Sequence, residues 1–270
     1  MGEDSELIAV ELKLSKLDHL LESVCEVSAA RELLEDLCEH LVGMLPTYPE
    51  SCTFVRVRKM ENRPVSAHEV TYPPVSVSAG RANRAGRQLF YCQFWSDAEP
   101  FRSTLFPEIP NLAAGDRIAV SYWSVDTKFD LMPVGYVEQP EVYGFPALTS
   151  VQRIVKEFLS ARFLKKSHAG QNKEYLLPAA IAEVFYDTPF SDRLHPMAGI
   201  MYPSVHLEGV HNLALLPHFV DRHLKLNRVE WIKIGSVEPV DKDGRLWFDW
   251  CFIDTSTCVD EHGVICWDES

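Results

Sequence analysis

Apolar residues recur at steps of three and four through the first fifty positions. Leu7, Val10, Leu14, Leu17, Leu21 and Val24 fall on one helix face, leaving Glu11, Lys16 and Asp18 to water. A second helix is predicted from Ser28, whose hydroxyl can cap its start. Leu33, Leu34, Leu37, Leu41 and Leu45 form its stripe, and Pro46 ends it. Together they predict an N-terminal helical hairpin over residues 1–50, packed by its leucine face on a main domain at 51–270.

From Thr53 the pattern shortens to apolar runs rich in Val, Phe, Tyr and Trp, broken by Pro, Gly and Asn, which read as strands. The clearest are 53–57, 88–94, 117–123 and the pair 230–234 and 246–252, with Asp241-Lys-Asp-Gly244 as the turn of that pair. Two amphipathic stretches interrupt them. Val151, Ile154, Val155, Phe158 and Leu159 make one face; Leu177, Ala180, Ile181, Val184 and Phe185 make the other. Strands and helices do not alternate regularly, so an α+β domain with mixed or antiparallel sheets is expected instead of a doubly wound parallel sheet.

The chain has 270 residues, 46% of them hydrophobic and 24% charged, enough for one substantial core or a core with a smaller appendage. Its formal net charge of -13 repels phosphodiester backbones, which argues against nucleic acid as a partner. No run reaches the length of a membrane helix and the start MGEDSE lacks the pattern of a signal peptide, so a cytoplasmic protein with no membrane partner is expected. Seven cysteines without a CxxC pair fit a reducing compartment. The closest histidine pairs, His206 with His211 and His218 with His223, stand five apart, which does not suit a metal pair on a helix; no metal is expected.

GxGxxG, P-loop, GxSxG and HExxH patterns are all missing from the sequence. Three segments instead carry polar residues where apolar ones would suffice. Arg56 stands within the strand Phe54-Val-Arg-Val57. Arg81, Arg84 and Arg87 lie between Gly80 and Tyr91, where Gly80 and Gly86 allow tight turns; this is an anion-binding loop in outline. The third segment, Gly199-Ile-Met-Tyr-Pro-Ser204, leaves a hydroxyl at a strand end with Asn212 in the loop beyond it.

In that order, "FVRVR", "GRANRAGRQLFY" and "GIMYPSVHLEGVHNLAL" resemble the RES family, whose characterised members consume NAD; the resemblance covers about residues 52–215. It implies an ADP-ribosyltransferase-like fold and an enzyme that breaks the nicotinamide–ribose bond, an NAD phosphorylase or NADase acting as a toxin. Phosphate or water would be the acceptor, and NAD the substrate, with no separate cofactor. By motif position it implies catalytic roles for Arg56, Tyr91 and Ser204, and substrate-binding roles for Arg81, Asn83, Tyr202 and Asn212. The family glutamate is expected on a helix after Tyr91. An ungapped register puts Arg102 and Ser103 there, and Glu99 is the nearest carboxylate. A toxin of this kind implies an antitoxin or immunity partner. The alternatives are a catalytically inactive module that binds an ADP-ribose-like nucleotide or a protein, and a protein ADP-ribosyltransferase.

The chemistry suits these residue types. Cleavage passes through a ribosyl cation, so a site must fix the diphosphate, shelter positive charge and orient a nucleophile. Arginine grips phosphate bidentately, and an aromatic ring packs on the nicotinamide.

Overall fold

The structure, a computed structural model, describes all residues except 1–2, 24–26, 42–44, 75–78, 96–103, 135–146, 166–172, 188–193, 241–245 and 268–270. The elements follow as α1 (Glu3–Ser23), α2 (Val27–Glu39), β1 (Thr47–Tyr48), β2 (Thr53–Lys59), α3 (Ala67–Val70), β3 (Phe90–Phe94), a 3-10 turn (Phe106–Glu108), β4 (Arg117–Val125) and β5 (Phe129–Pro133). After these come α4 (Ser150–Leu164), α5 (Lys173–Asp187), β6 (Met197–Pro203), β7 (His211–Leu215), α6 (Pro217–His223), β8 (Leu224–Pro239), β9 (Leu246–Ser256), β10 (Cys258–Val259) and β11 (Ile265–Cys266). This is the mixed α+β character that the patterning predicts.

The contacts divide the chain into two compact units. One gathers residues 1–47, 74–88 and 129–205; the other gathers 48–73, 89–128 and 206–270.

The first unit is mainly helical. Val10, Leu14 and Leu17 of α1 and Leu34 and Leu37 of α2 are buried, as their spacing predicts. The second helix ends at Glu39, short of the expected Pro46, because the Leu41 N–H closes a tight turn on the Cys38 carbonyl. Leu41 and Leu45 remain buried beyond the helix. α1 packs on α2 and α4, and α2 packs on α5. Ion pairs join them: Lys13 with Asp36, Arg162 with Asp18, and Arg31 with Asp187 at 3.1 Å. α4 opens with a capping box in which the Gln152 N–H donates to Thr149 Oγ1 and the Thr149 N–H donates to Gln152 Oε1. α5 continues through Pro178 and buries the whole predicted face. β5 and β6 pair in parallel, with Met132 opposite Ile200.

The second unit is an antiparallel sheet in the order β7-β3-β2-β4-β8-β9. The predicted pair 230–234 and 246–252 forms the longer ladder of β8 and β9; its predicted turn lies outside the described residues. One face of this sheet is closed by Val55, Ile118, Val120, Ile232, Ile234 and Phe248, packed with Leu105 and Phe106 from the segment before β4. Burial of such side chains contributes roughly 1.5–3 kcal/mol each and fixes which way every strand faces.

Candidate functional site

Strand register determines what the candidate residues can reach. On β2, Phe54 stands opposite Phe94 and Val55 opposite Gln93, while Arg56 stands opposite Ser121 of β4. Alternation therefore sends Phe54 and Arg56 to one face of the sheet, and Val55, Tyr91 and Gln93 to the other. The two residues read as catalytic in this unit, Arg56 and Tyr91, thus project on opposite sides.

Arg56 is 7% exposed. Its Nη1 donates to the Tyr91 carbonyl at 2.8 Å, its guanidinium carbon lies 5.3 Å from the Phe90 ring centre, and its Nε has no hydrogen-bond partner among the described residues. No carboxylate pairs with it among the described residues. Burial first, and then the neighbouring Arg58, push its pKa down to about 10. The nearby Cys92 thiol is pushed well up by burial, so it stays neutral and supplies no counter-charge. A cation buried without an anion is costly, and an anionic ligand would relieve that cost.

Two residues along the same face, Phe54 stacks on Phe94 at 5.5 Å and Phe94 on Tyr48 at 5.0 Å. Tyr48, Ser51, Cys52, Thr53, Phe94 and Trp95 line an open cavity of about 340 Å³. Flat rings at its wall suit a planar ligand.

The Tyr91 face carries a chain of polar contacts. Gln93 Nε2 donates to Asn212 Oδ1 at 2.8 Å, Thr104 Oγ1 donates to Gln93 Oε1 at 2.7 Å, and Asn212 Nδ2 donates to Glu108 Oε1 at 2.8 Å. Asn212 stands on β7 and not in the loop expected, because His211–Leu215 pairs with β3, and it bridges β3 and the 3-10 turn. Sequence reasoning missed Gln93, Thr104 and Glu108. The alternation of Gln93 with Tyr91 on β3 could have flagged the first, but nothing local in "FPEI" marks Glu108. Glu99, the expected carboxylate, lies outside the described residues.

The basic loop belongs to the other unit. Its Arg84–Arg87 turn has the Arg87 N–H on the Arg84 carbonyl and Gly86 at φ 82°, a conformation suited to glycine. Arg81 Nη1 donates to the Phe163 carbonyl and, at 2.9 Å, to the Lys165 carbonyl, and its guanidinium lies 5.3 Å from the Tyr175 ring centre. It thus closes the C-terminal end of α4. Arg87 Nη1 contacts Glu183 at 2.6 Å and Asp187 at 3.3 Å and stacks on Tyr186, while Arg84 Nε stands 3.4 Å from Glu183. The loop cations that suggest an anion site are engaged with carbonyls and carboxylates of their own unit. Glu183 is buried, and its Oε1 has no hydrogen-bond partner among the described residues.

Asn83 is buried beside this turn and donates to the Arg84 carbonyl at 2.9 Å. Tyr202 is buried on β6, its ring 5.3 Å from that of Phe163, and buried Ser204 directly follows the strand. Of the eight positions singled out from the sequence, then, Arg56, Tyr91 and Asn212 stand in one unit and Arg81, Asn83, Tyr202 and Ser204 in the other, while Glu99 lies outside the described residues. No group of three His, Cys, Asp or Glu among the described residues could hold a metal ion. No helix of the described residues is long and apolar enough to cross a membrane. Comparison with known proteins finds no matching protein family, no matching curated protein and no matching solved structure.

Proposed function

We propose that this chain is a RES-type, ADP-ribosyltransferase-like protein that binds NAD and cleaves its nicotinamide–ribose bond, with phosphate or water as acceptor. The observation that carries the reading is Arg56, a buried guanidinium with no carboxylate partner among the described residues. A phosphate oxygen is the natural complement to its planar donor fork. The aromatic cavity further along the same face supports a ligand that has a ring as well as a charge. Glu99, by its position after Tyr91, is the carboxylate assigned to counter the ribosyl cation. Unrestrained cleavage would deplete cellular NAD, which calls for a neutralising protein partner.

Incubation with NAD, with and without phosphate, tests this by nicotinamide release and by the appearance of ADP-ribose or its 1-phosphate. The parent chain is expected to release nicotinamide. Glu99→Ala is expected to lower the rate at least about a hundredfold. No release under either condition overturns cleavage.

The second reading, a nucleotide-binding module without catalysis, is favoured by the opposite projection of Arg56 and Tyr91. It predicts saturable binding of ADP-ribose with no nicotinamide release.

A further inference from the structure

The C-terminal hairpin brings two thiols together. β10 and β11 pair antiparallel with Cys258 directly opposite Cys266, and both residues are exposed with free thiols. The Asp260 N–H donates to the Val264 carbonyl, so those two form a hydrogen-bonded pair of the ladder. Cys258 and Cys266, two residues further along, occupy the same kind of position. Facing residues there have Cα atoms about 5.5 Å apart, inside the window of about 4.4–6.8 Å that a disulfide spans.

The hairpin is also held in place before any bond forms. Ser256 Oγ donates to the Cys266 carbonyl at 2.6 Å, the Ile265 N–H to the Val65 carbonyl at 2.9 Å, and the Ala67 N–H to the Gly263 carbonyl at 2.8 Å. Trp267 Nε1 donates to the Pro64 carbonyl at 2.7 Å. Ordering of both strands keeps the second sulfur close once the first has reacted, which favours ring closure over two separate adducts. Gly263, at φ 77°, forms the turn between the strands, where a side chain would be strained.

We propose that Cys258 and Cys266 are a dithiol modification site, which closes to a disulfide by exchange with a low-molecular-weight disulfide such as oxidised glutathione. The Cys258 thiolate attacks one glutathione sulfur, forming a mixed disulfide and expelling one glutathione thiolate. Cys266 then loses its proton and attacks the Cys258 sulfur, expelling the second. Two electrons pass from the cysteine pair to one oxidised glutathione, and the two thiol protons end on the two glutathione molecules released. The neighbouring Cys258 pushes the Cys266 thiol up. The product clamps the hairpin covalently across the turn that holds 64–67.

The test is to treat the full chain with oxidised glutathione, alkylate it after denaturation, and digest it with a protease that cuts at acidic residues. Asp254, Asp260 and Glu261 separate Cys251, Cys258 and Cys266 into different peptides. A linked pair of Cys258 and Cys266 peptides, two hydrogens lighter than the reduced pair, is expected. Cys266→Ser is expected to trap glutathione on Cys258. Separate glutathione adducts on both cysteines of the parent chain, a link from either one to Cys251, or no reaction at the pair would each overturn the proposal.

Discussion

Arg56 donates to the carbonyl of Tyr91 at 2.8 Å while the two side chains leave the sheet on opposite faces. Among the described residues a peptide dipole thus substitutes for a counter-ion at Arg56, and it is a weaker complement than a carboxylate. Arg56→Met removes one hydrogen bond and a buried charge that no described carboxylate compensates, effects that differ in sign. Urea unfolding without ligand is expected to show a gain of about 1 kcal/mol, and ADP-ribose is expected to lose its effect on the melting temperature. A loss above about 2 kcal/mol would show that the guanidinium has an anionic partner in the ligand-free chain.

Asn212 links Gln93 to Glu108, and its amide donor is what makes the carboxylate tolerable beside it. Asn212→Asp places two carboxylates in contact. Like charges raise the pKa of the folded pair above its unfolded value, so stability is retained at low pH and lost as pH rises through the folded value. The variant is expected to match the parent near pH 4 and to fall roughly 1–3 kcal/mol behind it at pH 7, read from urea midpoints across that range. A deficit independent of pH would mean that the amide contributes shape alone.

Lys156 is buried on α4, and burial pushes its pKa down to about 8. The unfolded chain holds this proton up to its ordinary value of 10.5. Between those values the unfolded state binds more protons, so this residue makes stability rise with pH from about 8 to 10.5, by roughly 3 kcal/mol at most. Lys156→Met is expected to flatten this rise, read from urea midpoints between pH 7 and 10. Parallel stability curves for the two proteins would show that Lys156 keeps its charge at no cost.

Arg81 separates a structural role from a ligand role. As the cap of α4 it makes two hydrogen bonds to carbonyls, and Arg81→Ala is expected to cost about 1–2 kcal/mol in stability without ligand. If the same guanidinium is recruited by a phosphate, ADP-ribose affinity falls as well. Loss of affinity with unchanged ligand-free stability would rule out the capping role.

The helical faces were legible in the sequence because they depend on local periodicity. Val10, Leu14 and Leu17, and all five apolar positions of α5, are buried as their spacing requires. Strand existence was legible for β2, β3, β4 and the β8–β9 pair for the same reason. Facing was not, since Arg56 and Tyr91 lie on different strands and only the register of β2 against β3 relates them. Nor was Glu108, whose partner Asn212 is 104 residues away. The basic loop illustrates a different limit: clustered arginines show charge, but Glu183 and Asp187, which absorb it, are supplied by a helix about 100 residues later.

The division of the chain has a consequence for synthesis. Its two units are assembled from six alternating segments, so neither corresponds to a continuous stretch. On the ribosome the first unit cannot be completed before residue 205 emerges, and the second must wait for the C-terminal segment. β2, β3 and β4 are made early, but the strands that flank them, β7 and β8, come from the last quarter. Their exposed edges must survive that interval unpaired, which makes nascent chains of this protein dependent on whatever shields strand edges during translation.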